Sequence, residues 1–279
     1  MTINCKGQLI DLSTPKVMGI LNITPDSFFD GGKFDSDKKI LNHVKKMNSD
    51  GATFIDIGGQ SSKPNASIIT VNDELKRVVP VVDLILKNFP ETLISIDTFN
   101  SEVAKASIEN GASIINDISA GNLDDNMLET VARLQVPYIM MHMKGNPQTM
   151  QTLTHYDDLV KDILFYFSEK VAKARSFGIN DLIVDPGFGF AKNIAQNFEL
   201  LSKLDLFQML ELPILVGLSR KSMIYKTLNT DVENALNGTS VLNTIALSKG
   251  ATILRVHDVK EAVECVKLYA TVYLNNHAD

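Results

Sequence analysis

The sequence has little of what cross-links a chain or anchors it in a membrane. It contains only two cysteines, Cys5 and Cys265, near opposite ends of its 279 residues. They form neither a metal-binding pair nor a disulfide framework, which is typical of proteins in the reducing cytosol. No apolar run approaches the roughly 18 residues of a membrane span, and the N-terminus lacks the apolar region of a signal peptide. We therefore predict a cytoplasmic protein with no membrane partner.

Positive charge is also scarce. The 27 Lys and Arg residues are outnumbered by 33 Asp and Glu residues, which gives a net charge of −6, and no block of the chain is basic. Nucleic-acid binding relies on neutralising many phosphates, so we expect no nucleic-acid partner. A local cluster of Lys and Arg can still bind a small anion against the overall sign. The composition is therefore compatible with binding of a small anionic ligand.

What the sequence does contain is a series of eight short apolar runs. Most are continuous rather than alternating, which is typical of parallel strands covered on both faces. Stretches with helical spacing separate them, and the mean repeat of roughly 33 residues is the size of one strand–helix unit. The runs cover residues 17–21, 53–57, 93–96, 113–118, 138–141, 182–184, 214–216 and 252–256. Eight such units predict a (β/α)8 TIM barrel.

A doubly wound parallel sheet is the alternative fold for this alternation. The dinucleotide fingerprint G-x-G-x-x-G is missing after the first run, which favours the barrel. Four helical stretches end in glycines just before the next strand, and we expect these to be left-handed C-caps: Gly51, Gly111, Gly178 and Gly250. No linker, low-complexity tract or change in composition divides the chain. We predict one α/β domain over residues 1–279.

Nearly every predicted strand is followed by polar residues, and active sites of such barrels lie at these carboxyl ends. The series runs Asn22, Asp56, Asp97, Asn116, Asp117, His142, Asp185, then Ser219 to Lys221, and finally Arg255 and His257. Cations after the last two strands predict a phosphate or diphosphate site. The acidic half suits a ligand edge rich in N–H donors, because ionised carboxylates only accept hydrogen bonds. Asn22 is suited to a hydrated Mg²⁺ bridging the phosphate group.

Taken together, these segments resemble the dihydropteroate synthase family. The resemblance runs from about residue 17 to the C-terminus and covers the motifs in family order. These are MGILNITPDSFFDGG from Met18, IDIGG from Ile55, SIDT from Ser95, INDI from Ile115, MMHMKGNP from Met140, DPGFGFAK from Asp185, GLSRKS from Gly217 and RVHD from Arg255. The resemblance implies an enzyme that joins 6-hydroxymethyl-7,8-dihydropterin diphosphate to 4-aminobenzoate and releases pyrophosphate.

The resemblance also implies roles for individual residues. Asp185 would accept hydrogen bonds from the exocyclic amine and ring N–H of the pterin. Asp97 and Asn116 would assist it, Lys221 would meet the ring acceptors, and Phe190 and Met140 would pack against the ring. For the diphosphate, the resemblance implies Arg255, His257 and a Mg²⁺ held by Asn22, and Ser219 is a further predicted substrate-binding residue. Lys221, Arg255 and His257 would be the catalytic residues, and the family suggests a homodimer.

Two loops carry the remaining predicted contacts. The first, residues 24–32, would cover the site with Phe28. The second reads GGQSSKPN from Gly58, where the family usually reads GGESTRPG, and it would contribute Ser62 and Lys63 to substrate binding. Lys63 keeps a positive charge but lacks the planar fork of arginine. These replacements bear on the affinity for 4-aminobenzoate and for sulfonamides.

The sequence is also compatible with two other functions, and His142 and Asp56 each have a structural interpretation. The chain could be a pterin-binding paralogue with impaired catalysis, or a barrel that passes a methyl group from a methylfolate to a cobalt cofactor. The second would have no diphosphate to hold, so the cationic cluster argues against it. His142 is interpreted as a histidine of the barrel wall rather than a catalytic group. For Asp56, strand capping and a role in the site are both open.

Overall fold

The computed structural model describes residues 1–23, 33–60 and 69–273, and side chains in the first helix are described from Ser36 onward. Ten strands fall in these ranges: β1 Thr2–Cys5, β2 Gln8–Asp11, β3 Lys16–Asn22, β4 Phe54–Gly58, β5 Leu93–Asp97, β6 Ile114–Asp117, β7 Tyr138–Met141, β8 Leu182–Asp185, β9 Leu215–Val216 and β10 Ile253–Val256. The helices there are α1 Lys33–Ser49, α2 Val71–Asn88, α3 Ser101–Glu109, α4 Met127–Leu134, α5 Leu159–Ser176, α6 Ile194–Ser202, α7 Ser222–Thr227, α8 Leu236–Ser248 and α9 Val259–Tyr273.

The strands β3 to β10 form one parallel sheet in the order β8-β7-β6-β5-β4-β3-β10-β9. A parallel bridge between Val184 and Ile214 joins the two edge strands, supported by a hydrogen bond of 3.0 Å from the Val184 N–H to the Pro213 carbonyl. The edges therefore meet, and the sheet is the predicted (β/α)8 barrel. All eight apolar runs became barrel strands because each is buried on both faces, by the barrel interior and by the helices around it.

An N-terminal hairpin was not predicted. Strands β1 and β2 pair antiparallel, and the apolar side chains of this hairpin lie in a cluster with residues from the first half of the barrel strands. That cluster contains Ile3, Cys5, Ile10 and Leu12 together with Met18, Phe54, Ile114, Ile139, Ile183, Leu215 and Ile253. The hairpin thus covers the amino-terminal end of the barrel, opposite the strand ends that carry the polar residues.

The helices begin and end where local signals place them. Thr70 caps α2 by accepting a hydrogen bond from the Asp73 N–H, and Asn193 and Gln196 form a reciprocal capping box at α6. The four glycines predicted to end helices all have positive φ, between 87° and 103°. Within the described ranges, no helix is both long enough and apolar enough to cross a membrane.

Candidate active site

The strand register brings the predicted site residues to one level of the barrel. Asn22 pairs with Gly58, Gly58 with Asp97, and Asp97 with Asn116, so three polar side chains and one glycine form a continuous row across four strands. A Cβ atom on Gly58 would lie 3.5 Å from Asn22 Oδ1 and 3.7 Å from Asp97 Cβ. Glycine therefore keeps open the space between these two side chains.

Arg255 reaches into this row from β10 and binds two carboxylates. Its Nε donates to Asp56 Oδ2 at 2.6 Å, and its Nη2 donates to Asp97 Oδ2 at 2.6 Å. Asn116 Nδ2 donates to the same Asp56 oxygen at 3.0 Å. The Arg255 side chain is 19% exposed, whereas Asp56 is fully buried. A single network thus fixes the guanidinium, and Asp56, whose role the sequence left undecided, is at its centre.

The network leaves hydrogen-bonding capacity for a ligand. A guanidinium has five N–H donors, and the three that Arg255 does not use on Asp56 and Asp97 have no acceptor among the described residues. Asp56 Oδ1 is buried and likewise has no partner in the described part of the chain. Burial raises the pKa of Asp97, and the Arg255 charge opposes that shift. The neighbouring carboxylates in turn hold the pKa of Arg255 above its ordinary value against the effect of burial.

Asp185 and Lys221 form the second part of the site. Asp185 ends β8, and its Oδ1 accepts from the Gly187 N–H at 2.8 Å. Burial raises the pKa of Asp185, and Lys221 is the largest opposing charge. The Lys221 ammonium donates to the Phe188 carbonyl and lies 5.0 Å from the centre of the Phe190 ring. Burial lowers the pKa of Lys221 to about 8, and Asp185 opposes the shift.

His257 and Ser219 lie side by side at the rim. Ser219 Oγ is 3.0 Å from His257 Nδ1 and accepts a hydrogen bond of 3.2 Å from the His257 backbone N–H. The packed surroundings, followed by the Arg255 charge, lower the pKa of His257, although the residue is exposed at the rim. The imidazole is therefore neutral near pH 7. When the serine hydroxyl donates to Nδ1, the ring proton sits on Nε2 and can be donated to a ligand.

Arg220 does not join the cations of the barrel mouth, as its place in the sequence suggested. Its guanidinium makes a two-pronged ion pair with Asp258, at 2.8 and 2.9 Å. Its Nη1 also donates to the carbonyls of Val232 and Glu233. The backbone at Arg220 is left-handed, with φ of 54°, which turns this side chain away from its neighbour Lys221. Arg220 therefore fixes the loop to Asp258.

The remaining predicted residues fall into two groups. Met140 is fully buried in the barrel core within β7, one residue before the end of that strand. Phe28, Ser62 and Lys63 lie outside the described residues. Gln60, at the start of the second loop, accepts a hydrogen bond of 3.4 Å from the Ile69 N–H. A contact between residues on either side of positions 61–68 is thus described, and the loop between them is not.

The polar side chains at the strand ends determine which kind of metal site this end of the barrel can form. Among residues 1–23, 33–60 and 69–273, no three His, Cys, Asp or Glu side chains are grouped so that they could hold one. Asn22 is exposed at the end of β3 and presents a neutral oxygen. Mg²⁺ usually keeps several waters and binds through one or two protein ligands plus substrate phosphates. The residues present therefore fit a Mg²⁺ that arrives with a phosphate-bearing substrate, and they do not form a closed protein cage.

The fold and this constellation define a class of protein. Residues 18–257 match the family described as pterin binding enzyme. This match spans most of the chain. It includes all eight barrel strands, apart from the first two residues of β3. The protein is thus a barrel of the pterin-binding class, with its polar cluster at the carboxyl ends of the strands.

Individual relatives identify the family within this class. The chain is 46% identical to a dihydropteroate synthase of Escherichia coli over 270 residues, covering 96% of this chain and 95% of the relative. It is 42% identical to the dihydropteroate synthase of Haemophilus influenzae, covering 96% and 98%. The chain belongs to the dihydropteroate synthase family. These relatives do not favour the methyl-transferring alternative.

Solved structures agree with this placement. The Yersinia pestis dihydropteroate synthase, determined as a complex with a sulfonamide drug, superimposes with a TM-score of 0.91 at 43% identity, covering 98% of this chain and 99% of the other. The Xanthomonas albilineans enzyme, determined with 4-aminobenzoic acid, gives a TM-score of 0.90 at 37% identity, covering 97% of both chains. The likeness extends over the whole barrel.

Proposed function

We propose that this chain uses the cluster around Arg255, Asp185 and Lys221 to join 6-hydroxymethyl-7,8-dihydropterin diphosphate to 4-aminobenzoate. The main support for these residue roles is that Arg255, Asp185 and Lys221 all lie at one end of the barrel. Asp185 and Lys221 interact electrostatically, and each also interacts with Arg255. A pterin-reading carboxylate and a phosphate-binding guanidinium therefore lie within reach of one small molecule.

The pterin would be held by the buried half of the cluster. The exocyclic amine and adjacent ring N–H of a pterin are donors, and Asp185 supplies a buried acceptor. Asp185 Oδ1 is already bound to the Gly187 N–H, so Oδ2 and the second lone pair of Oδ1 are available. Lys221 would donate to the ring acceptors. The half-buried Phe190 ring would provide apolar surface for a pterin face, with Asp97 and Asn116 closing the edge of the ring. Met140, which the resemblance assigns to the same contact, is fully buried in the core and presents no surface to the pterin.

The diphosphate would lie at the rim. The three unused N–H donors of Arg255 and the Nε2 proton of His257 would neutralise charge as the bond from the methylene carbon to the diphosphate oxygen breaks. The electron-rich dihydropterin shares the positive charge left on the methylene. The amine of 4-aminobenzoate then forms the new C–N bond and loses one proton to solvent. No covalent intermediate with the enzyme is needed.

Mg²⁺ is proposed as the cofactor, with Asn22 Oδ1 as its protein ligand. When bound, it would add positive charge to the departing diphosphate. Asn22 suits this role because it is exposed and adjoins the open space over Gly58, next to Asp97. Loss of Mg²⁺ dependence in an Asn22→Ala variant at saturating pterin diphosphate would argue for the assignment, and unchanged dependence would argue against it.

The second substrate is proposed to be 4-aminobenzoate, with sulfonamides as its competitors. The proposal follows the two relatives solved with 4-aminobenzoic acid and with a sulfonamide drug. Phe28, Ser62 and Lys63 would contribute to this subsite, as the family resemblance implies. Ser219 would support it indirectly by orienting His257.

We also propose a homodimer that acts in the cytosol. Three large apolar residues are exposed on the outer helices: Val241 is 50%, Ile245 38% and Leu268 70% exposed. Helices α8 and α9 are adjacent, since Cys265 Sγ contacts the Ser240 carbonyl. A Leu268→Glu variant should sediment as a monomer if this face is the interface. The cytosolic assignment is supported by the two free, buried cysteines.

The test of the proposed function is pyrophosphate release. Purified protein should release pyrophosphate from the pterin diphosphate at a sustained rate only when 4-aminobenzoate is present, and dihydropteroate should accumulate in equal amount. Arg255→Lys is the informative variant, because lysine keeps the charge but lacks the planar five-donor fork that binds Asp56 and Asp97 and still has three N–H groups left for a ligand. Binding of pterin diphosphate without turnover in the wild-type protein would instead identify a catalytically impaired paralogue.

A further inference from the structure

A buried lysine to which the proposed reaction assigns no role binds the backbone of the loop after β8. Lys192 is 8% exposed, and its ammonium lies 2.9 Å from the Gly187 carbonyl, 3.0 Å from the Phe190 carbonyl and 3.0 Å from His142 Nδ1. An ammonium has three N–H donors, and here it has three acceptors. These three acceptors satisfy the charged form of Lys192, although burial lowers its pKa to about 7.

The loop it binds needs such support. Residues 186–192 follow an irregular path, with left-handed backbone at Gly187, Gly189 and Ala191. At Gly187 a Cβ atom would lie 2.1 Å from the His142 carbonyl oxygen, so the loop and the end of β7 are in direct contact. Backbone in this region is costly for residues with a Cβ and persists only where surrounding contacts fix it. Lys192 binds the carbonyls of residues on both sides of the Gly189 turn.

The same loop carries the pterin-binding groups. Gly187 donates its N–H to Asp185 Oδ1 and offers its carbonyl to Lys192, so one peptide segment connects the ammonium to the carboxylate. Phe190 offers its carbonyl to Lys192 while its ring lies near Lys221. Lys192 therefore helps to fix both the Asp185 carboxylate, which is proposed to accept from the pterin, and the Phe190 ring, which is proposed to pack against it.

His142 completes the arrangement as an acceptor. Its ring is 2% exposed and lies 4.9 Å from the ring of Tyr166 in a T-shaped contact and 6.0 Å from that of Tyr156. Burial and the Lys192 charge lower the pKa of His142, so its ring is neutral. With Nδ1 accepting from Lys192, the ring proton is on Nε2. Tyr156 also donates to the Ala191 carbonyl at 2.9 Å, which fixes the end of the loop.

We propose that Lys192 and His142 are positioning residues that preorganise the loop of residues 185–190 for pterin binding. The proposal rests on the proposed function, because it assigns the pterin to Asp185 and Phe190. It assigns no contact between either residue and the substrate. Removal of the ammonium should therefore weaken pterin affinity, while kcat at saturating pterin and the KM for 4-aminobenzoate change much less.

The test is calorimetric binding of the pterin diphosphate to the full-length protein, with steady-state kinetics on the same samples. Lys192→Met should weaken pterin binding about tenfold or more, as expected for loss of charged hydrogen bonds that order the loop. Lys249→Met is the matched control: it removes a partly buried positive charge that pairs with Asp205 at 3.0 Å and has no described hydrogen bond to residues 185–190. The control should stay within about twofold of wild type.

A pair of His142 variants separates positioning from general stability. Asn places an oxygen near the position of Nδ1 but leaves a cavity, whereas Phe fills the space between the tyrosine rings but accepts no hydrogen bond. The proposal predicts that His142→Asn binds pterin more tightly than His142→Phe even if it melts at a lower temperature. These two variants carry the test if Lys192→Met does not fold.

The outcomes distinguish this inference from the proposed function. If the wild-type protein does not bind the pterin diphosphate, the proposed function fails. If the wild type binds and folded Lys192→Met binds equally well, the positioning role alone is wrong. Pterin affinities of the two His142 variants that follow their melting temperatures would also overturn it, because the role would then be structural only.

Discussion

Replacement of Asp56 by Asn probes the network that holds Arg255. The change preserves the shape of the side chain but replaces a carboxylate that accepts from Arg255 Nε at 2.6 Å and from Asn116 Nδ2 at 3.0 Å. Breaking a buried ion pair costs about 3–5 kcal/mol when one charge is left alone. Here Arg255 keeps Asp97 and is partly exposed, so we expect a loss of about 2 kcal/mol in the free energy of unfolding.

The same substitution should reduce catalysis more than it reduces stability. The amide oxygen of Asn could still accept from Nε, but the charge is lost and the amide NH2 would take the place of the unpartnered Oδ1. The guanidinium would be held more weakly, and a displacement of about 1 Å at a reacting group costs about 100-fold in rate. We expect kcat/KM for the pterin diphosphate to fall by about that factor. Urea denaturation and pyrophosphate-release kinetics measure the two effects on one preparation.

A matched substitution controls for the loss of a carboxylate. Asp83 is 52% exposed and pairs with Lys87 at 2.7 Å on the surface of α2. Asp83→Asn should change the free energy of unfolding by less than about 0.5 kcal/mol and leave kinetics unaltered. If Asp56→Asn is as stable and as active as this control, Asp56 does not position Arg255 and the reasoning fails.

Three further predictions address the pterin, the diphosphate and the second loop. Asp185→Ala should weaken pterin binding by about 100-fold or more, because two buried donors lose their acceptor; unchanged affinity by calorimetry would reject the pocket. His257, whose pKa is lowered in the free protein, should take up a proton when a diphosphate raises that pKa. Affinity should therefore rise as the pH falls toward about 4, the pKa of the imidazole in the free protein, with proton uptake in calorimetry that a His257→Gln variant lacks. Lys63→Arg should preserve or improve turnover, and a large loss would show that the second loop works differently from that of the family.

The barrel could be predicted from the sequence because parallel strands buried on both faces leave continuous apolar runs. The N-terminal hairpin could not be predicted in this way. Its strands are only four residues long, and its buried residues Ile3, Cys5 and Ile10 alternate with exposed ones such as Leu9. An alternation over four residues is too short to identify a strand from the sequence, and only the open end of the barrel explains why the hairpin packs there.

The position of polar residues at one end of the barrel was predictable where a strand end sets the direction of the side chain. Asp97, Asn116 and Asp185 came from this rule, since parallel strands deliver their last residues to the same end. The prediction that Arg220 joins the cations of the barrel mouth was wrong. Its position next to Lys221 in the sequence does not reveal that the backbone at Arg220 is left-handed. Lys192 was overlooked because its burial depends on the path of a loop, which local sequence does not encode.

The central claim is that one pterin diphosphate is bound at the same time by Asp185 and by Arg255 with His257. A crystal structure of the protein with the pterin diphosphate and Mg²⁺ tests it directly. We expect the Asp185 carboxylate about 3 Å from the exocyclic amine and the ring N–H, with diphosphate oxygens at similar distances from Arg255 and His257. A pterin bound elsewhere, or a diphosphate that contacts neither residue, would contradict the account.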